Sequence, residues 1–311
     1  MLQRLHPGEL APSLEEILLK LFVVRYGQTS TEIDTFPPAK NNREAKTGNW
    51  SGRIPPVTDT KMIVAWNSLV ISGLARAYSV FGEESYLTLA KGAANFILQK
   101  QWVDGRFYRL NYDGQPAVPA QAEDYAFFIK ALLDLQAASP TEARWLEDAV
   151  RIQQELDNLL WSGEMSGYYN NAEDSGKDLL VRERNYTDNA VPSANGVAIA
   201  NLVRLALLTD NLDYLDRAQQ ALQAFAIILD RSPQACPSLF IALDWFIYGN
   251  SVKTTSQQLL SLISRYLPTS VCRLATDLPN DSVGLVCQGS SCLEPVPSLE
   301  QLLAQIKEVS C

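Results

Sequence analysis

Residues 196–208 read GVAIANLVRLALL, a run apolar nearly all round. A helix of that kind must be covered on every side. The segment that follows has a different texture: from Tyr214-Leu215 onward the apolar residues Leu215, Ala218, Leu222 and Phe225 fall at three- and four-residue spacing, so this helix has one apolar face. The same couple occurs twice upstream. Met62–Phe81 and Tyr125–Ala138 are again apolar nearly all round, and each precedes a one-sided helix that opens on an aromatic-Leu pair. In the first the face is Tyr86, Ala90, Ala93 and Ile97; in the second, opened by Trp145, it is Leu146, Ala149, Ile152 and Leu156. A buried helix alternating with an amphipathic one at about 60 residues per pair is too long a unit for tetratricopeptide or ankyrin repeats. It predicts an α/α toroid, inner helices surrounded by outer ones. The aromatic stretches Asp104–Tyr108 and Ser166–Tyr169 are expected as short strands or hairpins where an outer helix returns to the next inner one.

The flanks are read from their punctuation. The capping box Ser13-x-x-Glu16 predicts a helix reaching about Tyr26, and Gly27–Thr58, rich in Pro, Asn, Thr, Gly and charge, an extended linker. Ser232-Pro233 announces a last toroid helix running to about Ile247. Beyond Gly249 a helix is expected over Thr254–Tyr266, strands at Val271–Leu274 and Val283–Cys287, and a final helix capped by Ser298-x-x-Gln301 and ending near Val309. The fold class is therefore mainly α: a partial α/α toroid over 59–249, preceded by a helix and linker over 1–58 and followed by a small α/β appendage over 250–311.

Composition removes whole classes of chemistry. With 47% apolar and 20% charged residues, a chain of 311 residues has ordinary soluble composition and can bury a full core. A net charge of −9 repels phosphate backbones and anionic lipid, so neither nucleic acid nor a membrane surface is an expected partner. The single histidine, His6, removes multi-histidine metal sites, paired-histidine acid/base schemes and a Ser-His-Asp triad. No glycine-rich nucleotide loop or nucleophile elbow occurs, and no metal or cofactor is implied. The first apolar run, Ile17–Val24, is broken by Lys20 and preceded by Glu15 and Glu16, where a secretory signal needs positive charge. Met62–Phe81 carries Asn67, Ser68, Ser72, Arg76 and Ser79, which suits a buried helix better than a bilayer span. Five cysteines form no CxxC. Cys287 and Cys292 are close enough to pair, yet the odd total predicts structural thiols in a reducing cytoplasm.

Several motifs occur in order: Asp59-Thr-Lys61 with Ala65-Trp-Asn67, Ala122-Glu-Asp-Tyr-Ala126, Asp188-Asn-Ala-Val-Pro-Ser-Ala-Asn195, and Val286-Cys-x4-Cys-x2-Pro295. From Leu14 onward the chain resembles the thioredoxin-domain-containing protein family that includes spermatogenesis-associated protein 20. The resemblance implies a six-hairpin, glycosidase-like toroid, an architecture shared with sugar epimerases and polysaccharide-degrading enzymes. In that family a thioredoxin-like domain and the first hairpins, with glycine-rich and His-Phe-Glu signatures, precede the matched region, and this sequence contains neither. With roughly eight predicted helices where six hairpins need twelve, the inner helices leave an open apolar side. A second copy or a separate chain supplying the missing hairpins would cover it, unless the chain is a truncated fragment.

If the hairpins stack in register, the starting ends of the inner helices share one rim. That rim gathers Asp59, Lys61, Trp66 and Asn67; Glu123, Asp124 and Tyr125; and Asp188, Ser193 and Asn195. Sugar chemistry needs two carboxylates across a ring, with aromatic faces to hold it. Asp124 and Asp188 are the candidate catalytic pair, Glu123 a substitute for either, and the remainder candidate contacts to a small sugar ligand. At a helix start a carboxylate is favoured in its charged form, which suits a base and leaves the general acid unassigned. The competing reading makes Asp59, Asp124, Asp188 and Ser193 plain caps, Trp66 and Tyr125 core residues, and Lys61 an ion-pair partner. The expected function is sugar binding or glycosidase- or lyase-like processing; the alternative is a non-catalytic interaction module docking on a chain that carries the missing hairpins.

Overall fold

The structure, a computed structural model, describes residues 7–57, 59–112, 114–175, 181–275, 277–279, 281–289 and 291–309, with side chains from residue 12. His6 lies outside them. The chain divides into two compact units, Met1–Thr60 and Lys61–Cys311, and residues 250–311 group with the hairpins in the second.

The first unit holds helix α1 (Pro7–Tyr26) and the short α2 (Asn42–Thr47). The Ser13 box does not open α1, which begins at Pro7 and runs through Pro12. Proline at the first helical position has its φ already set, whereas Pro12 lies inside the helix, where it gives up the hydrogen bond to the residue four back and crowds that carbonyl. Leu14, Ile17, Leu18, Leu21 and Val24 on α1 are exposed. Gly27 and Gly52 let two stretches of main chain cross: a Cβ on Gly27 would meet the Ser51 carbonyl carbon at 2.4 Å, and one on Gly52 the Tyr26 carbonyl carbon at 2.3 Å.

The second unit opens with strand β1 (Met62–Ile63) and the hairpin α3 (Val64–Phe81) and α4 (Glu84–Lys100). Strands β2 (Trp102–Val103), β3 (Arg106–Tyr112) and β4 (Gln115–Pro119) lead to α5 (Ala122–Ala138) and α6 (Arg144–Leu160); α7 (Ala194–Thr209), α8 (Asp213–Arg231) and α9 (Pro237–Tyr248) follow. Each outer helix packs back on its inner one, α4 on α3, α6 on α5 and α8 on α7, while the inner helices stand in a row, α3 beside α5, α5 beside α7, α7 beside α9. This is an arc of an α/α toroid. No helix among the described residues is long and apolar enough to cross a membrane.

Sequence texture explains the row. The α5 and α7 helices are buried almost throughout, whereas α6 buries Trp145, Ala149, Ile152, Leu156 and Leu160 on one face. Phe127, Phe128, Ile129, Leu132 and Leu133 of α5 are essentially without solvent contact, each contributing about 1.5–3 kcal/mol of burial. The expectation that all inner helices are covered fails at the two ends of the row. Trp66, Val70 and Val80 on α3 and Phe240, Ile241 and Ile247 on α9 are exposed, because each end helix has an inner neighbour on one flank only. Close approach of α7 to α9 depends on Gly196, where a Cβ would lie 2.2 Å from the Ser238 hydroxyl.

The expected rim strands are present and more extensive than the aromatic stretches suggested. Antiparallel β3 is central, pairing with β2 through Phe107, with β1 through Leu110 and Asn111, and with β4 from Tyr108 to Tyr112. Near Ser166–Tyr169 only an isolated bridge forms, Trp161 to Tyr168. The α9 helix starts at Pro237 rather than Ser232; Pro233–Ala235 make a single 3-10 turn before it.

The appendage comprises β5 (Asn250–Thr254), α10 (Ser256–Ile263), β6 (Ser270–Leu274), β7 (Gly284–Gln288), β8 (Ser291–Cys292) and α11 (Leu299–Val309). Its sheet runs β6-β5-β7-β8, with β5 parallel to β6 and antiparallel to β7. Val252, Leu262, Val286, Leu302 and Ile306 form a small core of their own. Arg273 reaches from β6 to Asp210 and the Leu208 carbonyl at the end of α7. Where thiols were expected, β7 and β8 place Cys287 opposite Cys292 and the two form a disulfide.

Candidate functional site

The starting ends of the inner helices need acceptors for their free amides. Neither α3 nor α9 supplies one, for the side chains of Ile63 and Cys236 at their caps accept no hydrogen bond from the helix. The acceptors come from neighbours. Asp124 in the first turn of α5 accepts from the Ala65 amide of α3 at 3.1 Å and from the Gln121 amide of its own helix at 2.9 Å. Asp188, ahead of α7, accepts from the Ser238 amide of α9 and the Ser193 amide, both at 2.6 Å, and from the Ser238 hydroxyl. The candidate catalytic carboxylates are thus caps, but caps of the adjacent helix.

Side chains close the remaining valences. Arg109 on β3 donates through Nη1 to Asp124 Oδ2 at 2.9 Å and pairs with Glu123 at 2.7 Å. It is carried there by the β3–β4 hairpin, which runs straight into α5. Asp124 is fully buried, and burial pushes its pKa up to about 6 against the pull of Arg109 and the two amides. Desolvation thus outweighs the groups around Asp124 that favour its charged form.

Ser193 accepts from the Gly196 amide at 3.1 Å, capping α7, and lies 2.8 Å from the Ser238 hydroxyl. Asn195 is buried, accepting from the Tyr168 amide at 2.7 Å and donating to the Tyr168 and Asn185 carbonyls. Tyr125 is core: its hydroxyl donates to Glu155 at 2.6 Å, its ring meets Phe107 edge-on at 5.3 Å, and burial, then Glu155, raises its pKa far above the ordinary value. Glu155 also accepts from the Phe107 amide and the Trp102 indole. Asn67 donates to the Ile63 carbonyl one turn back. Trp66, for which a core role competed with ring stacking, is 60% exposed. Asp59 belongs to the first unit and, like Lys61 in the second, is exposed.

The structure therefore brings Glu123 and Asp124 together around Arg109, and Asp188 with Ser193 around Ser238. No polar contact among the described residues joins the two groups, and neither the cavity beside α11 nor the one between the inner helices and the α10–β6 segment is lined by them. Other groups escaped the sequence reading. On the α5 run Asp134 and Lys130 pair at 2.7 Å, and Arg204 of α7 donates to Asp134 at 2.8 Å. Charges one turn apart on otherwise apolar helices were the available signal. Asp157 of α6 accepts from the Tyr168 hydroxyl at 2.7 Å and pairs with Arg217.

No family model matches the chain. It is 36% identical over 241 residues to spermatogenesis-associated protein 20 of Rattus norvegicus, covering 71% of this chain and 30% of that protein. To the Homo sapiens protein of the same name it is 31% identical over 281 residues, covering 78% and 36%. The chain spans about a third of the length of these curated relatives. Among solved structures, a family 76 α-mannanase of Bacteroides thetaiotaomicron overlaps 55% of this chain and 46% of its own at 19% identity and a TM-score of 0.44. A sugar epimerase from a ruminal bacterium overlaps 56% and 46% at 23% identity and a TM-score of 0.45.

Proposed function

This chain belongs to the family of spermatogenesis-associated protein 20, about a third of whose length it spans, and from that premise we propose that it works as one wall of an α/α toroid, an interaction module completed by helical hairpins carried on another chain. One observation carries this reading. The middle inner helices α5 and α7 are flanked on both sides and buried, while α3 and α9, each flanked once, expose Trp66, Val70 and Val80 and Phe240, Ile241 and Ile247. The row's own packing supplies the chemistry of the occupant: a further apolar inner helix extends it at either end. Each large side chain so covered adds about 1.5–3 kcal/mol. The carboxylates support the same reading, since the oxygens of Asp124 and Asp188 are engaged by amides and are not offered to a substrate.

Light scattering across the micromolar range tests it. The chain alone is expected to associate with concentration and to bind a hydrophobic dye, and the double substitution Trp66→Asp, Phe240→Asp to remain monomeric with unchanged circular dichroism. A wild-type chain that stays monomeric and takes up no dye overturns the reading.

A second reading rests on Trp66 alone. An exposed indole one residue from the Ala65–Asp124 link, with Asn67 and the partly exposed Glu123 close by in sequence on the two helix starts, suits non-catalytic stacking against a small sugar. Oligosaccharide titration followed by calorimetry, with Trp66→Ala as the comparison, tests it: saturable heat lost in the variant supports sugar binding, and its absence in the wild type ends that reading.

A further inference from the structure

The other ends of the inner helices enclose a cavity of about 210 Å³ between α3, α5, α7, α9 and the α10–β6 segment of the appendage. Its walls include Arg76, Arg204, Arg265, Asp134, Trp245 and Ser270, and Asp134 is the one acidic side chain among the lining residues. That carboxylate is already spent. Its Oδ1 accepts from Arg204 Nη2, and its Oδ2 accepts from Lys130 at 2.7 Å and from the Ser72 hydroxyl.

What remains is an excess of donors. Arg204 is 8% exposed, yet its Nε–H has no acceptor, and the buried Ser270 hydroxyl likewise has no partner. Neither Arg76 nor Arg265 has an ion-pair partner among the described residues. With Lys130 and Arg204 sharing one carboxylate, the cavity is strongly positive inside a protein whose net charge is −9. Cations gathered in excess of the one carboxylate between them attract an anion. The volume corresponds to about seven water molecules, which limits a ligand to a few carbons beside its charged group. Three arginine side chains around one engaged carboxylate suit the three oxygens and double charge of a phosphoryl group better than a single carboxylate.

We propose that this cavity binds a small organic phosphate, its phosphoryl group facing the guanidinium-bearing side chains of Arg76, Arg204 and Arg265 and its short carbon skeleton against Trp245. The site is distinct from the rim carboxylates and from the apolar edges at Trp66 and Phe240.

Calorimetry and thermal melts of the full chain at low ionic strength, with glycerol 3-phosphate, glycerate and inorganic phosphate as probes, decide the matter. Glycerol 3-phosphate is expected to bind saturably and raise Tm, with glycerate and inorganic phosphate each weaker by about tenfold. Arg265→Ala, at an exposed position, is expected to weaken binding about tenfold without changing the unliganded melt. Arg204→Lys keeps a charge opposite Asp134 but removes the guanidinium plane, and should weaken binding likewise; Arg76→Ala, at a second exposed position, checks the same cation cluster should that variant fold poorly. No saturable binding of glycerol 3-phosphate, binding indifferent to Arg265→Ala and Arg76→Ala, or inorganic phosphate bound as tightly as the ester would each overturn the proposal.

Discussion

On one helix, α5, two aspartates meet opposite circumstances. Asp124, in the first turn, has its oxygens taken by the Ala65 and Gln121 amides and one arginine; Asp134, near the other end, is held by Lys130, Arg204 and the Ser72 hydroxyl. Burial dominates at Asp124 and raises its pKa to about 6. At Asp134 burial also raises it, but Lys130, Arg204 and Arg76 together prevail and hold it well below the usual carboxylate range. At the rim, the carboxylates serve main-chain amides. At the far end, side-chain cations outnumber the carboxylate and donors remain.

The largest expected effect comes from removing the rim carboxylate. Asp124→Ala leaves Arg109 with Glu123 alone and strips two amides, and should cost about 3–5 kcal/mol in chemical denaturation. Protonation comes next. Because the native value for Asp124 exceeds the usual 3.8, its contribution is complete below that pH and is lost as pH rises through about 6, a change on the order of 3 kcal/mol. Asp134 acts in the opposite sense: its contribution is present above the unfolded value of 3.8 and is lost as pH falls below it. Stability measured against pH should lose its decline between about 4 and 6 in Asp124→Asn and flatten on the acid limb in Asp134→Asn; identical profiles would erase the contrast.

Smaller effects follow. Gly196→Ala forces a methyl against Ser238 and should cost about 1–3 kcal/mol, read from the melting temperature. Asp188→Ala removes the borrowed cap of α9 at a half-buried position and should cost about 0.5–2 kcal/mol; coupling to Ser238→Ala in a double-mutant cycle isolates the shared bond. Val70→Ala, on the open flank of α3, should change monomer stability by less than about 0.5 kcal/mol and register only in association.

What could be read from sequence was what is local. The alternation of all-apolar and one-sided helices located α3 to α8 within a few residues, because burial on every side and burial on one side leave different periodicities. The start of α9 escaped because its acceptor, Asp188, lies fifty positions upstream of Ser238, and no local pattern records a cap borrowed across the fold. Asp124 was rightly suspected of capping, but the helix it serves beyond its own could not be read from its neighbours. Strand β5, Asn-Ser-Val-Lys-Thr, lacks an apolar run and no strand is expected ahead of the helix over Thr254–Tyr266, yet it is central because partners on both edges satisfy its main chain. Trp66 was weighed as core on the strength of a helix apolar all round, and its exposure reflects the end of the row, a property of neighbours.

Borrowed caps also bear on how such a chain can be made and altered. The opening turn of α3 is finished by a residue that follows it by 59 positions, so during synthesis that turn waits, incompletely satisfied, until α5 has emerged and docked. In solenoids whose units contain their own termini, one unit can be deleted or duplicated at a time. Here excision of the α5–α6 pair would leave α3 with bare amides at its start as well as a stripped flank, so lineage changes in length would have to cut elsewhere than between neighbouring hairpins.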